Sequence, residues 1–129
     1  MNLNQVTLPS TDVGRAASFY RRLGFVQIVE SLPRYARFEC AEGGATFSLH
    51  LVRSLPPESG VVVYFECADL DGTCARLAAG GIAFDSPPTD QPWLWREARL
   101  RDPDGNCLCL FAAGENRRHP PWRLPQGAP

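Results

Sequence analysis

The chain has 129 residues, net charge −1 and pI near 6.1, long enough for one domain with a real core and too short for two ordinary ones. That balance excludes a phosphate-tracking nucleic-acid surface, and no apolar run approaches the roughly 20 residues a bilayer requires. The N-terminus lacks the basic-then-apolar pattern of a secretory signal, so the expected location is cytoplasmic. The five cysteines are then expected as reduced, largely buried thiols; there is no CxxC pair to support a zinc knuckle.

Residues 4–9 alternate as a short strand, with Val6 and Leu8 on one face and Gln5 and Thr7 on the other. Asp12 is a helix N-cap, and Val13, Ala16, Ala17, Tyr20 and Leu23 follow at helical spacing until Gly24 ends the run. Strands are expected over Phe25–Ser31, Tyr35–Cys40 and Ala45–Val52, with Glu42-Gly43-Gly44 turning between the last two. The order is β-α-β-β-β. Ser54–Gly60, with Pro56-Pro57, reads as a linker. Beyond it the grammar restarts: a strand over Val61–Cys67, an N-cap at Asp69, and a helical stripe of Leu70, Thr73, Cys74 and Leu77 stopped by Gly80-Gly81. A short strand is expected from Ile82 to Phe84, then a loop from Asp85 to Pro92.

Asp12 and Asp69, Gly24 and Gly81, and Phe25 and Ile82 are each 57 positions apart, which predicts a two-copy repeat (69 − 12 = 81 − 24 = 82 − 25 = 57). The second copy ends in Trp95–Arg101 and Asn106–Phe111, joined by Arg101-Asp102-Pro103-Asp104-Gly105-Asn106. Pro103 fixes φ at one turn position, Gly105 supplies φ > 0, and the aspartates accept from nearby N–H groups, so the unit reads as a hairpin. Ala98 and Leu100 mark its packed face; Glu97, Arg99 and Arg101 are expected to meet water or a ligand. Cys107 and Cys109 lie opposite Leu108 and Leu110. The Pro- and Arg-rich tail, 114–129, is expected to be extended, with Trp122 docked on the domain or on a second subunit.

Leu8 through Asp12-Val13, Ser18-Phe19-Tyr20, Leu23-Gly24-Phe25 and Asp102-Pro103-Asp104-Gly105-Asn106, in that order, resemble the vicinal oxygen chelate superfamily of glyoxalases, bleomycin-resistance proteins, extradiol dioxygenases and fosfomycin-resistance enzymes. The resemblance covers about residues 3–113. It implies an α+β fold of two tandem β-α-β-β-β modules, about 3–53 and 60–113, forming curved mixed sheets around a shared cleft. It also implies a homodimer. In the family's metalloenzymes the first and last strands of each module hold a divalent metal. Those positions fall here on Gln5, Ser48, Val62 and Cys109, with His50 able to replace Ser48 by a shift of register or to serve as a polar pocket residue. Val62 cannot bind metal, which leaves Gln5, His50 and Cys109 as the metal candidates and a degenerate site as the expectation.

Strand parity places Gln5, Thr7, Ser48, His50, Tyr64, Glu66, Glu97, Arg99, Cys107 and Cys109 on the concave faces. By resemblance Arg99 lines the substrate pocket, either paired with Glu66 or Glu97 or clamping a carboxylate or phosphate of a ligand. Trp93 and Trp95 supply a stacking wall or pack an edge; Arg96 and Arg101 are expected in solvent or in surface ion pairs. The leading expectation is a protein that binds a small organic ligand, anionic or aromatic, without a cofactor. Its alternative is a glyoxalase-type lyase, isomerase or transferase holding a divalent metal, or using Arg99 and Tyr64 on the oxyanion with Glu66 or Glu97 as base. A dimeric scaffold without a tight ligand is a third possibility. A bleomycin-like cationic drug suits an acidic cleft better than one carrying arginines.

Overall fold

The computed structural model describes residues 1–125. In chain order the elements are β1 (Gln5–Ser10), α1 (Val13–Leu23), β2 (Val26–Ser31), β3 (Tyr35–Glu39), β4 (Thr46–Leu51), β5 (Val62–Glu66), α2 (Leu70–Ala79), β6 (Ser86–Asp90), β7 (Arg96–Arg101) and β8 (Cys107–Ala112). They form two four-stranded sheets, ordered β1-β4-β3-β2 and β5-β8-β7-β6. The α+β class and the tandem β-α-β-β-β order are as the sequence predicts. The chain divides into two compact units, Met1–Val62 with Arg101–Cys107, and Val63–Leu100 with Leu108 onward.

In the first unit β1 runs parallel to β4, while β2 to β3 and β3 to β4 are antiparallel. The Asp12 side chain accepts from the Arg15 N–H at the start of α1, and Gly24 ends the helix in a left-handed conformation (φ 103°). The 57-residue offset recurs in the second unit, where Asp69 caps α2 through the Gly72 N–H and Gly81 takes φ 95°. The apolar face of α1 lies on Phe38, Phe47 and Leu49, all essentially solvent-free. Phe38 and Phe47 stack with ring centres 5.2 Å apart, and Tyr20 meets Phe47 at 5.0 Å. Each large side chain buried here contributes about 1.5–3 kcal/mol.

Tyr20 carries a hydroxyl into that core, and the turn at 101–107 supplies its acceptor. The buried Asp102 carboxylate accepts from Tyr20 OH at 2.6 Å and from the Asn106 side-chain amide at 2.8 Å on one oxygen. Its other oxygen accepts from the backbone N–H groups of Asp104 and Asn106, both at 2.9 Å. Asn106 donates in addition to the Pro9 carbonyl, and Asp104 accepts from the backbone N–H and the hydroxyl of Thr11. Burial, reinforced by the Asp102 charge, drives the Tyr20 phenol far above its ordinary value, so it remains a donor.

In the second unit β6 corrects the sequence reading. Residues 82–84 form no strand, and the strand falls on Ser86–Asp90, within the stretch expected as a loop. Pro87 and Pro88 lack N–H groups, which bars them from a central strand but not from an edge. β6 is an edge strand, and its pairing with β7 shifts register between Ser86 and Thr89, across the two prolines. Arg96 bonds Asp71 of α2 and Asp90 of β6, both at 3.0 Å, in the surface ion pairs expected of it. The tail also departs from expectation: Gly114–Arg117 is a turn of 3-10 helix rather than extended chain, because the amides of Asn116 and Arg118 find carbonyls three residues back. Trp122 is 58% exposed. The final residues of the tail, 126–129, lie outside the described residues. Among the described residues no helix is long and apolar enough to cross a membrane.

Asp102→Ala removes the acceptor from four donors at once and is expected to cost about 3–5 kcal/mol, whereas Tyr20→Phe, which leaves Asp102 with its other three donors, costs about 1–3 kcal/mol. Urea denaturation of the two variants beside the parent checks both the direction and the ranking.

Candidate functional site

Each unit has one sheet face packed by its helix and one polar face, and the predicted site residues divide between the two polar faces. In the second unit the centre is Glu97. The alternation of β7 put it with Arg99 and Arg101 on a face meeting water or ligand, yet Glu97 is only 2% exposed. Its position is explained by its partners. One carboxylate oxygen accepts from the Trp93 indole N–H at 2.7 Å and the other from the Arg99 guanidinium at 2.9 Å. Of the two acids that might pair with Arg99, Glu97 does so; Glu66, at the end of β5, is exposed. A carboxylate so enclosed holds its neighbours in place.

Arg99 is the accessible member, with 36% of its side chain exposed. The same terminal nitrogen that meets Glu97 donates to Tyr64 OH at 3.3 Å, and the guanidinium carbon stands 5.5 Å from the Tyr64 ring centre. Tyr64 meets Trp95 and Phe111 edge-on at 5.9 and 5.7 Å, and Trp95 stacks on Phe111 at 4.7 Å. The Trp95 indole donates to the Asn116 carbonyl, so the turn after β8 fixes this ring. Trp93, tied by its N–H to Glu97, is 43% exposed and presents ring surface to solvent. The result is a cation against the Tyr64 ring, which itself packs on Trp95 and Phe111, tied to a buried carboxylate that also holds Trp93.

Cys109 is fully buried, and its thiol is pushed up to about 12, first by desolvation and then by the Glu97 charge, with Arg99 acting in the opposite direction. Desolvation likewise raises Cys74 to about 11. Cys107 is half-buried.

In the first unit Gln5, Thr7, Ser48 and His50 share one face through the β1–β4 register Gln5↔Thr46, Thr7↔Ser48 and Pro9↔His50. Ser48 is fully buried and accepts from the Gln5 amide N–H at 2.8 Å. The Gln5 amide oxygen accepts in turn from Thr46 OH. Thr7 and His50 are exposed on the same face. The sequence reading left out two members, Tyr35 and Arg37: Tyr35 OH shares a hydrogen bond with Ser48 at 2.5 Å and accepts from Arg37 Nε at 2.9 Å. The signal was present, because alternation through Tyr35-Ala36-Arg37-Phe38-Glu39 puts the first, third and fifth residues opposite the packed Ala36 and Phe38.

At the positions where the resemblance puts metal ligands, Gln5 and Ser48 are bonded to each other, Val62 has no donor, Cys109 is a buried thiol, and the further candidate His50 is exposed. Among the described residues no group of three His, Cys, Asp or Glu side chains is arranged to hold a metal ion.

With their thiols raised to about 12 and 11, Cys109 and Cys74 hold on the order of 10⁻⁴ to 10⁻³ thiolate at pH 8. Iodoacetamide on the folded protein is expected to leave both unmodified, and both are expected to react once the chain is denatured, as followed by peptide mass spectrometry.

Residues 2–110 match the family model described as Glyoxalase/Bleomycin resistance protein/Dioxygenase superfamily. No curated protein matches the chain. Among solved structures, a glyoxalase/bleomycin resistance protein/dioxygenase from Nocardioides is 27% identical with a TM-score of 0.77, the match covering 97% of this chain and 90% of that one. A bleomycin-binding protein complexed with bleomycin is 23% identical, TM-score 0.71, over 87% and 98% of the two chains. A lactoylglutathione lyase from Agrobacterium tumefaciens is 19% identical, TM-score 0.72, over 86% and 92%. The last two, at such identity, share the fold and carry no activity across. The ordered motifs, the doubled β-α-β-β-β module and the family match over residues 2–110 lead to one assignment: the chain belongs to the glyoxalase/bleomycin resistance protein/dioxygenase superfamily.

Proposed function

We propose that the protein binds a small organic anion with an aromatic or other flat apolar body on the polar face of its second sheet, without a metal. Arg99 clamps the anionic group, while Tyr64, Trp93 and Trp95 contact the body. The observation that carries this is the arginine held against Tyr64 and over the buried Glu97, with aromatic rings beside it. Glu97 takes one edge of the guanidinium and fixes its plane, and the donors that remain are suited to a carboxylate. A carboxylate bound there is a second anion beside Glu97, so affinity rests as much on the ring contacts as on charge.

Metal independence is supported by the weak donor set: the Gln5 amide and the Ser48 hydroxyl are engaged with each other, Val62 has no donor, Cys109 is a buried thiol, and His50 alone is an exposed imidazole. The catalytic alternative needs a base, Glu66 or Glu97, and an oxyanion partner, Arg99 with Tyr64. Glu66 is exposed and Glu97 is spent on Trp93 and Arg99, which favours binding over turnover. The polar residues of the first unit, Gln5, Thr7, Ser48 and His50, form a face of their own on the first sheet.

Quenching of tryptophan fluorescence by benzoate or 2-naphthoate tests this. Binding is expected in the parent, unchanged by EDTA or added Zn²⁺, and weakened about tenfold or more in Arg99→Met, the loss of one charge-assisted contact. Binding that requires a metal, or that ignores Arg99→Met, overturns the reading and turns attention to metal-dependent lyase chemistry. We also propose a homodimer, supported by the resemblance and by the apolar Val26, Ile28 and Leu32 exposed along and just beyond the edge strand β2. Light scattering is expected to give about twice the 14.2 kDa of one chain; a monomer mass at micromolar concentration retires it.

A further inference from the structure

The two modules repeat one arrangement that neither the family pattern nor the sequence motifs single out. In each, an arginine on the strand before the last, Arg37 on β3 and Arg99 on β7, lies 5.5 Å from a tyrosine ring centre. Each also donates to that tyrosine's hydroxyl, Arg37 to Tyr35 at 2.9 Å and Arg99 to Tyr64 at 3.3 Å. The pairs differ in the tyrosine's strand, β3 or β5, in the donating nitrogen, Nε or a terminal one, and in the counter-ion. Arg99 has a buried carboxylate in contact, while among the described residues Arg37 is in no ion pair.

We infer that Arg37 and Tyr35 form a second anion clamp, on the polar face of the first sheet, that takes a carboxylate group. The inference rests on the proposed ligand class but on different residues of a different unit. Only Nε of Arg37 is engaged, by Tyr35, and that bond fixes the guanidinium plane. The two terminal nitrogens have no partner among the described residues, and they form the fork that a carboxylate fits edge-on. Among the described residues no carboxylate is in contact with Arg37, so a bound anion has no paired charge to displace.

The arrangement beneath is also built rather than incidental. Thr46 donates to Gln5, Gln5 to the buried Ser48, and Ser48 shares its short bond with Tyr35. Ser48 is fully buried, so the phenol oxygen at the end of this row is fixed on a side chain that cannot swing away. The row occupies the positions from which relatives recruit metal ligands. The other titratable groups of this face are Glu39 on β3 and His50 on β4, paired in register with Thr46 and Tyr35; β2 contributes Val29 and Ser31.

Tyr35 reports on its own surroundings. Partial burial pushes the phenol up, but the hydrogen bonds with Ser48 and Arg37 and the Arg37 charge outweigh it and leave the group below its ordinary value. Tyr20 moves the opposite way, so the Tyr35 phenolate is expected to form well before that of Tyr20. A carboxylate on Arg37 disfavours that phenolate and raises its midpoint.

The experiment is an ultraviolet titration of phenolate absorbance, with and without saturating benzoate. Tyr35→Phe is expected to remove one phenolate step, and benzoate to raise that step's midpoint by about half a pH unit or more in the parent and in Arg99→Met but not in Arg37→Met. A midpoint that ignores benzoate, or that moves equally in Arg37→Met, overturns the inference. Tryptophan fluorescence in the same samples keeps the two sites apart, since Trp93 and Trp95 both lie in the second unit. A fluorescence response lost in Arg99→Met and kept in Arg37→Met upholds the second-sheet site whatever Tyr35 does. Because Arg37 is exposed, its replacement leaves the core untouched.

Discussion

A buried carboxylate with every lone pair in use decides how the first unit is put together. Asp102 is taken out of water, and a bare charge there is expensive unless donors replace the lost hydration. Four donors do so: a phenol, a side-chain amide and two backbone amides. The backbone amides belong to the carboxylate's own turn, which shapes Asp102-Pro103-Asp104-Gly105-Asn106. The phenol belongs to α1, whose apolar side packs on β3 and β4. A single acid therefore sets both the local geometry of a turn and the depth at which Tyr20 enters the aromatic core. The motif is recognisable in sequence because each of its residue types has a separate task in this arrangement.

The two polar faces show the same economy at smaller scale. In each, a fully or nearly buried polar residue, Ser48 or Glu97, anchors a more exposed tyrosine and arginine above it. Fixing a long side chain in advance lowers the entropy lost on binding. It also reuses positions where a metal would require several oxygen or nitrogen donors converging on one point. Gln5 and Ser48 instead turn toward each other, and Cys109 is a packed thiol.

How much of this the sequence disclosed follows from which interactions are local. The caps Asp12 and Asp69, the helix ends near Gly24 and Gly81, and the turn about Gly105 depend on a few adjacent residues and were legible at their positions. Strand parity likewise placed Gln5, Ser48, Tyr64 and Arg99 on polar faces. The choice of Glu97 over Glu66 as the partner of Arg99 was not legible, because alternation records which face a residue occupies and not how deep it lies. Trp93, four positions before Glu97, covers that carboxylate only through a bend that no periodicity signals. Tyr35 and Arg37 were missed because the argument followed the family's metal positions and did not extend parity to the neighbouring strand. β6 was missed for a different reason. Proline normally argues against a strand, and only the place of β6 at the sheet edge, a tertiary fact, lifts that objection.

That edge has a consequence for the protein's behaviour in a crowded solution. An open strand offers a row of unpaired N–H and C=O groups on which a foreign strand can assemble. In β6, two consecutive residues have no N–H to offer, and the register shift at the same point breaks the even spacing a newcomer would need. The outward Arg96, Asp71 and Asp90 add charge beside it. The second sheet thus ends itself at its fourth strand, and a segment that looks like a lapse in the folding pattern serves as its protection against unlimited growth.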